Sequence, residues 1–132
     1  GYTPQRSITH VDVHLLLAQA PAGKFCDVLM NVLKQFRFDR NWWTVDQVAA
    51  LSGMSVRTFQ RRLAAEIASW SELVERARRE LAKQWLAETS AAVGVIARRL
   101  GYSSLANFDR AFLRWTGKTP TKYRTQHRFL KL

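Results

Sequence analysis

This chain of 132 residues has one cysteine, three prolines and ten acidic residues, and each shortage closes off a class of protein. A lone thiol, Cys26, forms no internal disulfide, so packing alone must hold the fold, and a reducing compartment suits it. Cys26 lies in the apolar-rich run Phe25–Leu33 and reads as a small buried hydrophobe, not a nucleophile. No apolar run approaches the roughly 20 residues that a membrane-spanning helix needs. The polar start, with Pro4, lacks a secretory leader pattern. The first residue is Gly1 rather than Met, and the chain is treated as one piece of a longer protein. Acids are outnumbered by 21 Lys and Arg, a net charge of +11. That excess favours a polyanionic partner, either nucleic acid or an anionic membrane surface. It is uneven: residues 42–132 carry 16 Lys/Arg against 7 Asp/Glu, a net +9, and residues 1–41 carry 5 against 3, a net +2.

What is present is helical spacing. Residues 1–23 are weakly patterned, and "ITHVDVHLLL" reads as a short strand or a helical turn within a linker. Phe25, Val28, Leu29, Val32, Leu33 and Phe36 then recur at helical intervals. Thr44-Val-Asp-Gln47 has the form of a capping box, which starts a helix near Val45. That helix ends near Gly53, and Ser55 caps the next, which runs to about Glu66. Ser69-Trp-Ser-Glu72 is a second box, opening one long helix over about 70–89 with Leu73, Val74, Ala77, Leu81, Trp85 and Leu86 as its apolar stripe. Another helical stretch spans 93–115 and Gly117 ends it; Thr119-Pro120 opens a last short helix. No strong strand pattern appears, so the fold class is all-α.

Two segments repeat. "VAALSGMS" (Val48–Ser55) matches "IARRLGYS" (Ile96–Ser103) at an offset of 48, and "FQRRL" (Phe59–Leu63) matches "FDRAF" (Phe108–Phe112) at an offset of 49. The second copy thus holds one extra residue in its turn or helix start. Each position has a physical task. Ala49 and Ala97 are small because a second helix crosses close above them. Gly53 and Gly101 allow the positive φ of a tight turn between helices. Ser55, and Ser103 or Ser104, cap the following helix. Phe59/Leu63 and Phe108/Phe112 anchor its inner face. The outer faces keep Arg57, Gln60 and Arg61 in the first copy, and Ala106, Asn107, Asp109 and Arg110 in the second. Arg and Asn/Gln are the side chains that make paired hydrogen bonds to guanine and adenine edges in the major groove. A helix of about 20 residues between the copies spans roughly 30 Å, near the roughly 34 Å between successive major grooves on one face of DNA.

These residues resemble the AraC/XylS-type bacterial transcription regulators over about Trp43–Arg124. The second half is the more specific: "IARRLGYSSLANFDRAFLRWTGKTPTKYR" follows the family signature at Ile96-Ala97, Gly101-Tyr102, Phe108, Arg110, Phe112, Gly117, Pro120 and Tyr123-Arg124. The resemblance implies a DNA-binding domain over 24–132. Two homeodomain-like helix-turn-helix subdomains (about 45–66 and 92–116), about seven helices in all, are joined by a long linker helix and read adjacent major grooves of double-stranded DNA. It places Arg57, Gln60, Arg61, Ala106, Asn107 and Arg110 at bases, and Ser55, Thr58, Arg62, Ser103, Ser104 and Lys122 near phosphates. It implies an operator or promoter as partner, RNA polymerase as a second, and an effector or dimer partner acting through a sensing or dimerising domain. Residues 1–23 are too short to be that domain and are expected to be a linker or its remnant. The expected location is the bacterial cytoplasm, at the nucleoid. The chain departs from the family at Ile67, where glycine is frequent, so the turn there is expected to be longer or packed differently. Val95 replaces a usually polar residue, and Asp109 puts an acid on a face that approaches DNA.

Other classes find less support. His10 and His14 share a helical face, but a stable metal site needs three or four ligands, so no metal and no cofactor are expected. A DNA-targeted repair enzyme of the alkyl-transfer kind needs a nucleophilic cysteine in a polar or metal-bound setting, which Cys26 lacks. Neither a Ser/His/Asp set, nor paired carboxylates, nor a glycine-rich phosphate loop is present, so no catalytic residue is expected. A helical protein-interaction module would have no use for the Arg/Asn/Gln outer faces. A membrane-surface helix needs a free apolar face, and here the repeat consumes those faces. The tryptophans Trp42, Trp43, Trp70, Trp85 and Trp115 are read as core rather than as stacking platforms. The bulk of Arg78, Arg79, Arg98 and Arg99 is read as solvated.

Overall fold

The computed structural model describes residues 10–35 and 44–130, with side chains described over 14–35 and 44–128. Phe36, Trp42 and Trp43 lie outside the described residues, as does the side chain of His10. Among the described residues there are eight helices and no strand: α1 (His10–Ala18), α2 (Phe25–Gln35), α3 (Val45–Leu51), α4 (Val56–Ala65), α5 (Trp70–Glu88), α6 (Val93–Arg99), α7 (Leu105–Thr116) and α8 (Pro120–Leu130). That is one more than the seven expected. The additional helix is α1, over the stretch that pattern alone left between strand and helical turn.

Residues 10–35 and 44–74 form one compact unit and residues 75–130 a second. In the first, α1 packs on α2 and α3, and α4 packs on α2 and α3. Leu17, Phe25, Leu29, Leu33, Val48, Ala49, Phe59 and Leu63 are buried there. The Phe25 and Phe59 rings meet edge-on at 5.9 Å, and Trp70 closes on Phe59 at the same distance. Such edge contacts add to area burial, because a ring's positive rim meets its neighbour's negative face. The second core joins Leu81, Ala82 and Leu86 of α5 to Ile96, Ala97 and Leu100, and to Phe108 and Phe112 of α7. Half-buried Trp85, Tyr102, Trp115 and Tyr123 pack around it. Trp70, Trp85 and Trp115 therefore pack half-buried against the cores.

The local signals place the helix ends. Both bonds of the Thr44–Gln47 box form: the Gln47 N–H donates to Thr44 Oγ1 at 3.1 Å, and the Thr44 N–H donates to Gln47 Oε1 at 2.9 Å. Ser69 Oγ accepts from the Glu72 N–H at 3.3 Å, and Thr119 Oγ1 accepts from the Lys122 N–H at 3.2 Å. Gly117 ends α7 in the left-handed region at φ 75°.

Candidate nucleic-acid interface

The repeat folds into two closely matching turns. At the end of α3 the Met54 N–H donates to Ala49 O at 2.9 Å, and Gly53 sits at φ 72°. At the end of α6 the Tyr102 N–H donates to Ala97 O at 3.0 Å, and Gly101 sits at φ 91°. This is the closure that a left-handed residue permits: the bond spans five residues and satisfies a carbonyl that the helix leaves free. A β-carbon on Gly53 would also come within 2.7 Å of His14 Nδ1.

After each turn a serine caps the next helix. Ser55 Oγ accepts from the Thr58 N–H at 3.1 Å, and Ser104 Oγ accepts from the Asn107 N–H at 3.1 Å. The extra residue of the second copy lies in the turn: residues 52–55 separate α3 from α4, and residues 100–104 separate α6 from α7. Ser104 is therefore the cap. Ser103 does something else: its Oγ accepts from Asn107 Nδ2 at 2.8 Å.

Outward faces follow from the buried ones. Phe59 and Leu63 turn into the first core, which leaves Arg57, Thr58, Gln60 and Arg61 exposed on α4. Phe108, Ala111 and Phe112 turn into the second core, which leaves Ala106, Asn107 and Arg110 exposed on α7 and Asp109 half-buried. Ser55, Ser103, Ser104 and Lys122 are exposed as well, the last in the first turn of α8. Thr58 is already engaged, since its Oγ1 accepts from the Ser55 hydroxyl at 3.0 Å. Arg62 stands apart from the other expected residues. It is half-buried, and its guanidinium lies 4.3 Å from the centre of the Phe25 ring. It braces α4 on α2. Arg98, exposed on α6, borders an open cleft of about 200 Å³ that Tyr102, Ser103, Ser104 and Leu105 also line.

Two carboxylates hold these helices in place, and pattern reading did not single them out. Glu66 accepts from the N–H groups of Phe25 and Cys26, each at 2.9 Å, so the C-terminal cap residue of α4 caps the start of α2. The Cys26 N–H bond is the main cause that lowers its carboxyl below the usual 4.5, and the charge of Arg62 adds to it. Glu75 on α5 accepts from Trp115 Nε1 at 2.9 Å and from the Arg114 guanidinium at 3.1 Å, which pins the C-terminal end of α7. Those two bonds, the Trp115 bond first, lower its carboxyl too. Neither pairing follows a helical period, so no local spacing announces it. Leu105, the first residue of α7, is also 46% exposed on the same side as the cleft.

Ile67 departs from the sequence reading in a different way. In the turn before α5 the Ala68 N–H donates to Leu63 O at 3.0 Å, and Ile67 itself takes the left-handed conformation at φ 56°. A β-branched residue thus occupies a position that suits glycine, with its side chain 93% exposed. Val95 is 38% exposed on α6.

A family profile described as a helix-turn-helix domain matches residues 48–126, more than half of the chain. The HTH-type transcriptional regulator VqsM of Pseudomonas aeruginosa is 44% identical over 71 residues, 54% of this chain and 22% of that protein. The crystal structure of the transcriptional regulator CdpR, also from Pseudomonas aeruginosa, superposes with a TM-score of 0.65 at 26% identity, covering 89% of this chain and 36% of that one. The DNA-binding domain of the global transcriptional factor AdpA, solved in complex with a target DNA, gives 0.60 at 26% identity, covering 88% of this chain and 96% of that one. The chain thus spans about a quarter of the length of curated relatives such as VqsM and about a third of CdpR. With the matching turns, the serine caps and this profile together, the chain belongs to the AraC/XylS-type family of helix-turn-helix domains.

Proposed function

We propose that the chain is the DNA-binding part of a bacterial transcription regulator and reads double-stranded DNA through α4 and α7, each in its own major groove. One observation carries the reading. The same glycine turn and serine cap occur twice, and each leads into a helix whose outer face presents Arg with Gln or Asn. The segment that contains both copies has a net charge of +9 over residues 42–132. The likeness to the DNA-bound AdpA domain supports the same partner. Phosphate contacts set register and much of the affinity; base contacts set sequence. Arg57, Gln60 and Arg61 face the first half-site, and Ala106, Asn107 and Arg110 form the face turned to the second. Ser55, Thr58, Ser103, Ser104 and Lys122 face phosphates. Arg62 acts there only as far as its place on Phe25 allows. RNA polymerase, an effector or dimer partner held by a further domain, and a place at the bacterial nucleoid complete the proposal.

Site selection from a random duplex pool, followed by footprinting, tests it. Two short blocks about one helical turn apart are expected. Arg61→Ala and Arg110→Ala are each expected to relax one block, at about 1–3 kcal/mol. Binding that weakens with salt but selects no sequence would leave only phosphate holding and refute the two-groove reading.

A further inference from the structure

Arg61 and Arg110 occupy equivalent places in the repeat, yet their surroundings differ. At the start of α7 and in the turn before it, three exposed side chains form a chain of hydrogen bonds. Ser103 Oγ accepts from Asn107 Nδ2 at 2.8 Å, and Asn107 Oδ1 accepts from the Arg110 guanidinium. The residue that anchors this chain, Ser103, is the extra one in the second turn. On α4 the residue matching Asn107 is Thr58. Its hydroxyl is turned back on Ser55, and it is too short to reach an arginine three residues on. The first copy therefore has no counterpart of the Ser103–Asn107–Arg110 chain.

An asparagine that reads adenine must present its carbonyl oxygen and its amide together to the base edge. In Asn107 both ends run along the helix instead, the amide to the residue four before and the oxygen to the residue three after. An arginine that reads guanine must bring two guanidinium N–H groups to O6 and N7 in one plane. Arginine carries a large rotamer entropy, and a neighbour that already fixes the guanidinium lowers the ordering cost at the base. We infer that Asn107 is a positioning residue: it orients Arg110 toward a guanine, fixed in turn by Ser103, and does not itself read a base. The inference rests on the base-reading function proposed above. The half-site under α7 is then the more stringent of the two.

Site selection with the wild type, Asn107→Ala, Asn107→Asp and Arg110→Ala tests this, with a thermal melt of each variant as a check on folding. Asn107→Ala is expected to lower guanine preference on the order of tenfold at the base pair that Arg110→Ala also relaxes, with the melt unchanged because the side chain is exposed. Asn107→Asp keeps an oxygen that accepts from Arg110. It is expected to bind more weakly to every sequence but to retain the preference. Relaxation at a separate base pair would make Asn107 a reader in its own right and overturn the inference. So would an unchanged preference in Asn107→Ala, or an Asn107→Asp protein as unselective as Asn107→Ala. A wild type that selects no sequence overturns the parent function, and this assignment with it.

Discussion

The first helix-turn-helix copy is braced by the helices that precede it, and the second by α5 before it and α8 after it. In the first, the His14 imidazole donates to Ser52 O at 2.8 Å beside Gly53, Arg62 lies over Phe25, and Glu66 caps α2. In the second, Glu75 holds Arg114 and Trp115, Arg124 donates to Leu86 O at 3.0 Å, and Tyr123 packs edge-on against Phe112 at 5.2 Å. The turns are near copies, but the means of holding them are not. A recognition helix needs a fixed pose more than any one set of braces. Many side-chain combinations supply that pose, while few supply the turn. The outer faces differ in the same way: α7 carries a hydrogen-bonded arginine, and α4 has no equivalent chain.

The comparison can be broken at its anchors first. Phe59→Ala and Phe108→Ala each empty a fully buried ring site and should cost about 3–5 kcal/mol by urea unfolding. Hydrogen exchange should place the loss in α3 and α4 for the first, and in α6 and α7 for the second. Equal loss of protection in both units from either change would contradict the separation of the two cores. Next come the turns. Gly101→Val puts a β-branched residue at φ 91° and should cost about 1–3 kcal/mol. Gly53→Val should cost no less, because its β-carbon also meets His14. An unaltered melting temperature in either would show that the turn tolerates side chains.

Ile67→Gly runs the other way. The left-handed Ile67 is strained and buries almost nothing, so glycine should stabilise the first unit by about 1 kcal/mol, net of its own unfolded-state entropy. A lower melting temperature would mean that the isoleucine side chain makes a stabilising contact. The smallest effect is on acid stability. Glu66 and Glu75 both have carboxyls lowered from 4.5, so the unfolded chain binds their protons more readily than the folded one. Their contribution is full above about pH 4.5 and is lost as the pH falls below it. Glu66→Gln and Glu75→Gln should each flatten that acid limb; a limb as steep as in the wild type would assign it to other carboxylates.

Much of this was legible in order along the chain. The Thr44–Gln47 box, the Ser55 cap, the glycine turns and the one-residue slip in the repeat all depend on residues within about five positions of each other, and local chemistry decides them. The AraC/XylS resemblance carried the class for the same reason, since its signature is a string of neighbouring positions. Helix α1 was not legible, because its docking depends on His14 meeting a carbonyl 38 residues away. The sequence allows either Ser103 or Ser104 to cap α7, and the fold gives both a task.

By itself the sequence determined where the helices from α3 onward begin and end, which faces are apolar, that the pattern occurs twice, and that the basic charge accompanies it. These follow from periodicity, capping and composition, which act over one or two helical turns. Only the tertiary structure decided that Glu66 and Glu75 fasten helices some 40 residues away, that Arg62 is spent on Phe25, and that Ile67 accepts a glycine's conformation. A long side chain on a helix has several reachable partners, and which one it finds depends on what the fold brings beside it.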